Sequence, residues 1–184
     1  YQTNVLGTIH LLEALRAYGT MLEKESAPAR KAVAILITTD KVYENREWLH
    51  GYREEDALGG YDPYSSSKAA CEIAIASWQR SFFQKHPVQI GVARAGNVIG
   101  GGDWAADRIV PDCIRSLTRG QPVPVRNKVS TRPWQHVLEP LSGYLTLAAR
   151  LFENPDSIPR PPLQPSAAAF NFGPNLEANR TVAE

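Results

Sequence analysis

The pattern of apolar and polar positions divides the chain into helices and short apolar strands. Five apolar side chains recur at helical spacing and predict a helix over residues 3–25: Val5, Ile9, Leu12, Leu15 and Leu22. Similar spacing predicts three more helices, over residues 64–86, 108–120 and 136–152. Apolar runs of strand length lie at residues 32–38, 88–93, 122–125 and 168–172. Alternation of helix and buried strand predicts an α/β fold with a doubly wound parallel sheet.

Irregular segments separate these elements. Residues 40–63 contain three glycines and many polar side chains, which predicts a long loop, and such loops after buried strands are often functional. Residues 96–103 are glycine-rich, and residues 155–165 contain five prolines, which predicts an extended surface loop. Both chain ends look cut, because Tyr1 opens inside a predicted helix and Thr181-Val-Ala-Glu184 is a pattern that starts helices.

Charge and composition exclude several classes of protein. The 20 Lys and Arg residues nearly balance the 19 Asp and Glu residues and are dispersed, so we expect no nucleic-acid partner. The longest apolar runs are far too short to span a bilayer, so we expect no membrane partner. Two cysteines make neither a disulfide framework nor a metal-ligand cluster, which favours the reducing cytoplasm and no metal.

Two segments place reactive side chains together. Tyr64 and Lys68 stand at i and i+4, so a phenol and an ammonium share one face of a predicted helix. This pair also fits a plain helix start with an exposed lysine. Residues 38–41 (Thr-Thr-Asp-Lys) follow the first strand, and ligands bind beyond the carboxyl ends of parallel strands. The alternative for this segment is a turn cap.

A third segment combines polar side chains with glycines that permit close backbone approach. It runs from Arg94 through Asn97 to Gly100, and Gly101-Gly-Asp-Trp104 follows. It could hold a phosphate or form a tight surface turn. Three arginines further along could clamp a diphosphate or remain solvated: Arg108, Arg126 and Arg132.

In combination these motifs resemble one family over essentially the whole chain. Four segments occur in the order and spacing of the extended short-chain dehydrogenase/reductases: Thr3-Asn4-Val-Leu-Gly-Thr8, residues 38–41, Tyr64-Ser-Ser-Ser-Lys68 and Arg94-Ala-Gly-Asn97. Three further features resemble the CDP-glucose 4,6-dehydratase family: the Gly-Gly-Asp-Trp segment, residues 107–112 and Lys41. Lys41 replaces the glutamate that thymidine-linked relatives have at this position.

The resemblance implies a lyase that uses NAD and takes CDP-glucose to the 4-keto-6-deoxy sugar. The C4 hydroxyl is oxidised, water leaves across C5 and C6, and hydride returns to C6. Tyr64 would be the base at C4, Thr39 would bond the C4 oxygen, and Asp40 would protonate the departing hydroxyl. Lys41 would act at C5, as a base or as an electrostatic stabiliser. The other implied contacts are with cofactor, from Asn4, Thr38, Tyr64, Lys68 and Arg94, and with substrate, from Asn97, Arg108 and Arg132.

The resemblance also implies an organisation for the chain. Residues 1–98 would be the C-terminal half of a Rossmann-like NAD domain, residues 99–166 mostly a substrate-binding region, and residues 167–184 a strand returning to the sheet and the start of a helix. No glycine-rich dinucleotide motif follows a strand here, so the N-terminal cofactor half would be absent. We expect the isolated piece to bind NAD poorly and to turn nothing over. A homodimer or higher homo-oligomer and deoxysugar synthesis, as for lipopolysaccharide O-antigen, are implied as well.

Three other functions stay open. A nucleotide-sugar epimerase, or a dehydratase for another nucleotide sugar, would reuse the same tyrosine and lysine. Ser65 and Lys68 also satisfy the S-x-x-K motif of penicillin-recognising enzymes, although K-T-G and S-D-N do not occur. The third possibility is a non-catalytic fragment that keeps only an association surface.

Overall fold

The computed structural model describes residues 1–24, 31–46, 48, 50–125, 127–155 and 169–183. Four α-helices lie within these residues: α1 (Gly7–Lys24), α2 (Pro63–Phe82), α3 (Ile109–Thr118) and α4 (Leu138–Glu153). A π-helical turn, Gln2–Leu6, leads into α1, and 3-10 turns lie at Asp40–Val42 and Leu176–Ala178. The strands are β1 (Ala32–Ile37), β2 (Val88–Ala95), β3 (Val98–Ile99), β4 (Thr131–Pro133), β5 (Gln135–His136), β6 (Ala169–Phe172) and β7 (Asn179–Thr181).

The main sheet is parallel, with strand order β1-β2-β6. On one face, Leu12 of α1 and Ile75 of α2 pack with apolar side chains of β1 and β2. On the other face, Leu147 and Leu151 of α4 pack against β1 and β6. Helices on both faces of a parallel sheet confirm the predicted doubly wound α/β fold.

The chain divides into two compact units. The first comprises Tyr1–Ala95 and Ser142–Phe172 and contains the three-stranded sheet. The second comprises Gly96–Leu141 and Gly173–Glu184; within it β3 pairs with β5 in parallel and β4 pairs with β7 in antiparallel fashion. The functional roles expected for segments 1–98, 99–166 and 167–184 stay predictions.

Several predicted elements differ from those observed. Residues 122–125 form no strand, because Pro122 and Pro124 cannot donate backbone hydrogen bonds to a ladder. Helix α2 ends at Phe82, before His86, whose position ahead of a proline disfavours helical backbone. Thr181, expected as the residue that starts a helix, pairs with Thr131 in β7, and the helix expected after it stays a prediction.

The first strand and the proline-rich segment are the subject of two further expectations. Both faces of β1 are covered, since Leu36 packs with α1 and α2 while Val33 and Ile35 pack against α4, but Ile37 at its end is 46% exposed. Within the described residues β1 pairs with β2 alone. The proline-rich loop over residues 155–165 lies outside the described residues apart from its first position, as do Arg126 and Glu184. Across the part of the chain that is described, no helix is long and apolar enough to cross a bilayer.

Candidate active site

The start of α2 carries the tyrosine and lysine of the candidate site. Asp62 caps this helix: its Oδ1 accepts the backbone N–H groups of Tyr64 (2.9 Å) and Ser65 (3.1 Å). Pro63 occupies the first helical turn, where a missing N–H costs nothing. Tyr64 is 50% exposed, and Lys68 donates from Nζ to the Ile37 carbonyl at the end of β1 (3.4 Å). The expected pair is therefore helical, with the lysine directed at the carboxyl end of the sheet.

Two features fix where this helix begins. The Ser65 hydroxyl and backbone N–H, with the Tyr64 N–H and the charge of Lys41, hold the pKa of Asp62 below its usual value, which keeps the cap ionised. Gly60 has φ of 150°, and a Cβ there would lie 2.2 Å from the Ser66 Cα. Only glycine permits so close an approach of the loop to the helix.

Asn4 lies in the π-helical turn that precedes α1. Its Nδ2 donates to the Ser67 hydroxyl (2.9 Å), and that hydroxyl donates to the Tyr64 carbonyl (2.8 Å). The Asn4 carbonyl accepts from the Cys71 thiol at 2.6 Å. Asn4 thus reaches the Tyr64 turn of α2 through a hydrogen bond to the Ser67 side chain, and its expected contact with the cofactor stays a prediction.

The 38–41 segment sits at the end of β1. Thr39 is 5% exposed, caps the 3-10 turn Asp40–Val42, and donates from Oγ1 to the Asp40 Oδ1 at 3.0 Å. Lys41 donates from Nζ to the same oxygen at 2.9 Å. The 3-10 turn that carries Asp40 and Lys41 contacts α2, and the charge of Lys41 contributes to the lowered pKa of Asp62, the cap of that helix.

Thr38 and Arg94 are buried in a polar cluster that the sequence did not predict. The Thr38 hydroxyl donates to Glu72 Oε1 (2.5 Å), and the Arg94 Nε donates to both Glu72 oxygens (2.9 Å each). Arg94 Nη1 donates to the Tyr43 hydroxyl at 2.7 Å. Both expected cofactor residues are thereby engaged with protein groups, and a direct contact with NAD stays a prediction. The signal available in the sequence was Glu72, a carboxylate four residues after Lys68 between apolar neighbours.

A cleft of about 290 Å³ opens beside Lys68, between the start of α1, the end of β1 and α2. Its polar lining includes Thr3, Asn4, Thr8, Thr38 and Lys68, and its apolar lining includes Ile37. This combination of apolar walls with a few converging polar groups is typical of a ligand site.

The three expected substrate residues lie in the second unit. Asn97 stands between β2 and β3, and its carbonyl accepts the Gln135 N–H at 3.1 Å. Arg108 directly precedes α3 and is exposed. Arg132 lies in β4 and donates from Nη1 to the Thr131 carbonyl at 2.8 Å. Their contacts with substrate stay predictions.

Comparison with known proteins decides the family. The profile of the NAD dependent epimerase/dehydratase family matches residues 1–158. The chain belongs to this family. One member, the CDP-glucose 4,6-dehydratase of Salmonella typhimurium, is 47% identical over 99% of this chain and 47% of its own length. The dTDP-glucose 4,6-dehydratase of Neisseria gonorrhoeae is 32% identical over 67% of this chain and 34% of its own.

Solved structures of the epimerase/dehydratase family share the fold. The Bacillus cereus UDP-glucuronic acid 4-epimerase, in complex with UDP-glucuronic acid and NAD, superposes with a TM-score of 0.72 at 20% identity, covering 99% of this chain and 49% of that one. The Bacillus anthracis dTDP-glucose 4,6-dehydratase, in complex with NAD, gives 0.70 at 23% identity, covering 98% and 49%. The chain thus spans about half the length of these relatives.

Proposed function

We propose that this chain is part of an NAD-dependent lyase that converts CDP-glucose to CDP-4-keto-6-deoxyglucose. The observation that carries the proposal is the Asp40–Lys41 pair, held at 2.9 Å beside the helix of Tyr64 and Lys68. The 47% identity with a CDP-glucose 4,6-dehydratase over 99% of the chain supports the same substrate. A 4-epimerase would need the tyrosine and lysine but no acid and base for elimination.

The oxidation step would use Tyr64 and Lys68. Tyr64 takes the proton of the C4 hydroxyl, and the ammonium of Lys68 favours the phenolate electrostatically. Lys68, together with Asn4 at the same cleft, would hold the nicotinamide ribose of NAD. When bound, NAD supplies the hydride acceptor for C4 and the hydride donor for C6. The Thr39 hydroxyl would bond the C4 oxygen.

The elimination step would use the acid–ammonium pair. Asp40 protonates the C6 hydroxyl as it departs as water, while the C5 proton is removed. The Asp40 Oδ1 accepts from both Thr39 and Lys41, so a proton can pass between the carboxylate and the Lys41 amine. Lys41 would then act at C5, either as the base once its proton has passed to Asp40, or as a cation that stabilises the enolate while another group accepts the C5 proton.

The experiment is incubation of the full-length protein with CDP-glucose and NAD, followed by detection of the 4-keto sugar. Lys41→Ala should lose most solvent-deuterium exchange into C5, with Lys31→Ala, an exposed lysine ahead of β1, as the matched control. Exchange at the wild-type rate in Lys41→Ala would refute a role in elimination. An epimerised sugar without keto product would refute the dehydratase activity. Turnover of dTDP-glucose but not of CDP-glucose would refute the assignment of cytosine as the nucleobase of the substrate.

We also propose a cytoplasmic homodimer that acts in deoxysugar synthesis, as for O-antigen. Large apolar side chains on the helices that carry the site support an association surface: Tyr18 and Met21 of α1 are 47% and 59% exposed, and Ile73 of α2 is 59% exposed. Light scattering of wild type and Ile73→Asp tests this surface. A monomeric wild type would refute it.

A further inference from the structure

One buried ion pair lies directly behind the candidate catalytic segment. Arg94 and Glu72 are 2% and 4% exposed, and the guanidinium donates to both carboxylate oxygens. Burial of two charges is costly unless their hydrogen bonds are well made. Here the carboxylate also accepts from Thr38, and the guanidinium also donates to Tyr43 and to the Glu54 carbonyl (3.0 Å).

The first end of the pair joins β1 to α2. Glu72 stands one helical turn after Lys68, so the two side chains share a face of α2. Through the 2.5 Å bond to the Thr38 hydroxyl, this carboxylate fixes the residue that immediately precedes Thr39. The end of β1 is therefore attached to the same helix that carries Tyr64.

The second end of the pair holds the chain just after Lys41. The Tyr43 hydroxyl accepts from Arg94 (2.7 Å) and donates to the Asn171 Oδ1 in β6 (2.6 Å). The Arg94 guanidinium also lies 4.9 Å from the centre of the Tyr43 ring. The ion pair thus hydrogen-bonds both Thr38 and Tyr43, and the candidate acid Asp40 and the ammonium of Lys41 lie between these two residues along the chain.

Arg94 and Tyr43 keep their protons in this cluster. Burial alone would lower the pKa of Arg94, but the hydrogen bond and charge of Glu72 hold it above its usual value. Burial raises the pKa of Tyr43 more than Arg94 lowers it, so the phenol remains a donor to Asn171. The hydrogen bonds that Arg94 and Tyr43 donate are therefore available across the neutral pH range.

We propose that Glu72 and Arg94 are positioning residues, which set the 39–41 segment against Tyr64 and Lys68 by holding Thr38 and Tyr43. This inference rests on the proposed function. It gives Thr38 and Arg94 a role within the protein, and their contact with the cofactor stays a separate prediction.

The test uses Thr38→Val and Tyr43→Phe in the full-length protein. Each removes one hydroxyl and leaves the ion pair in place. A displacement of about 1 Å costs about a hundredfold in rate, so we expect kcat to fall roughly 10- to 100-fold, with KM within about threefold of wild type. Thr38→Ser keeps the hydroxyl and should restore kcat.

Gln79→Met is the matched control. Gln79 is buried on the same helix and donates to the Ile90 carbonyl at 2.8 Å, two turns beyond Glu72. It should lower Tm as Thr38→Val does while leaving kcat near wild type. If Thr38→Val and Tyr43→Phe keep wild-type kcat, or if Gln79→Met loses as much, the positioning role is refuted. Absence of keto product from wild type would refute the proposed function instead.

Discussion

The buried pair makes a quantitative prediction about stability. Glu72→Gln removes one charge and preserves the shape of the side chain, so the Arg94 cation stays buried at 2% exposure without its counter-ion. Loss of one member of a buried pair costs about 3–5 kcal/mol. We therefore expect the free energy of unfolding of the full-length protein to fall by about 3–5 kcal/mol.

Urea denaturation of the full-length protein, followed by circular dichroism, measures this loss. The midpoint should fall with little change in m, because the surface exposed on unfolding is the same. The double variant Glu72→Gln/Arg94→Met buries no unpaired charge and should be more stable than Glu72→Gln alone. Glu13→Gln, which breaks an exposed pair with Arg16, is the control and should change little. A loss below about 1 kcal/mol for Glu72→Gln, or a double variant as unstable as the sum of both single variants, would refute the reasoning.

Three further predictions concern the start of α2. Gly60→Ala should lower the free energy of unfolding by roughly 1–3 kcal/mol, because its Cβ would meet the Ser66 Cα. Gly51→Ala is the control and should be neutral, because its Cβ meets no atom within 4 Å. Equal losses in the two variants would contradict this prediction. Asp62→Ala should lose about 1 kcal/mol at pH 7. Because the folded pKa of Asp62 is lowered, its contribution to stability is present above the unfolded pKa of about 3.9 and disappears as pH falls through the folded pKa. A stability difference between wild type and Asp62→Ala that persists below the folded pKa would contradict this prediction. Asn4→Ala should lower kcat about tenfold by releasing Ser67, with KM for CDP-glucose unchanged and KM for NAD raised because the cleft loses a cofactor contact, and wild-type kinetics would contradict the link.

Local pattern was sufficient for most of the first unit. Apolar periodicity and β-branched runs predicted α1, β1, β2, α4 and β6 to within a few residues. It failed where pairing is remote in sequence: β4 and β7 join Arg132 to Arg180, a contact that no local signal encodes. The strand expected at residues 122–125 failed for a local reason, since two prolines outweighed the apolar pattern.

In the candidate site, too, local sequence pattern predicted some residue contacts and could not predict others. The i, i+4 spacing of Tyr64 and Lys68 could be predicted because helical geometry alone brings them together. The contacts of Arg94 could not, because Glu72 and Tyr43 lie 22 and 51 residues away along the chain. A resemblance that marks Arg94 as functional says nothing about whether it faces ligand or protein. Only the fold separates these two roles.

The one-sided pairing of β1 has a consequence for handling the protein. Residues 32–37 (Ala-Val-Ala-Ile-Leu-Ile) carry no charge and no proline, and within the described residues only β2 pairs with them. An open strand edge of this composition is a template for intermolecular β-pairing and aggregation. A preparation limited to these 184 residues would therefore need low concentration or a charged substitution at an exposed position such as Ile37 to remain monodisperse.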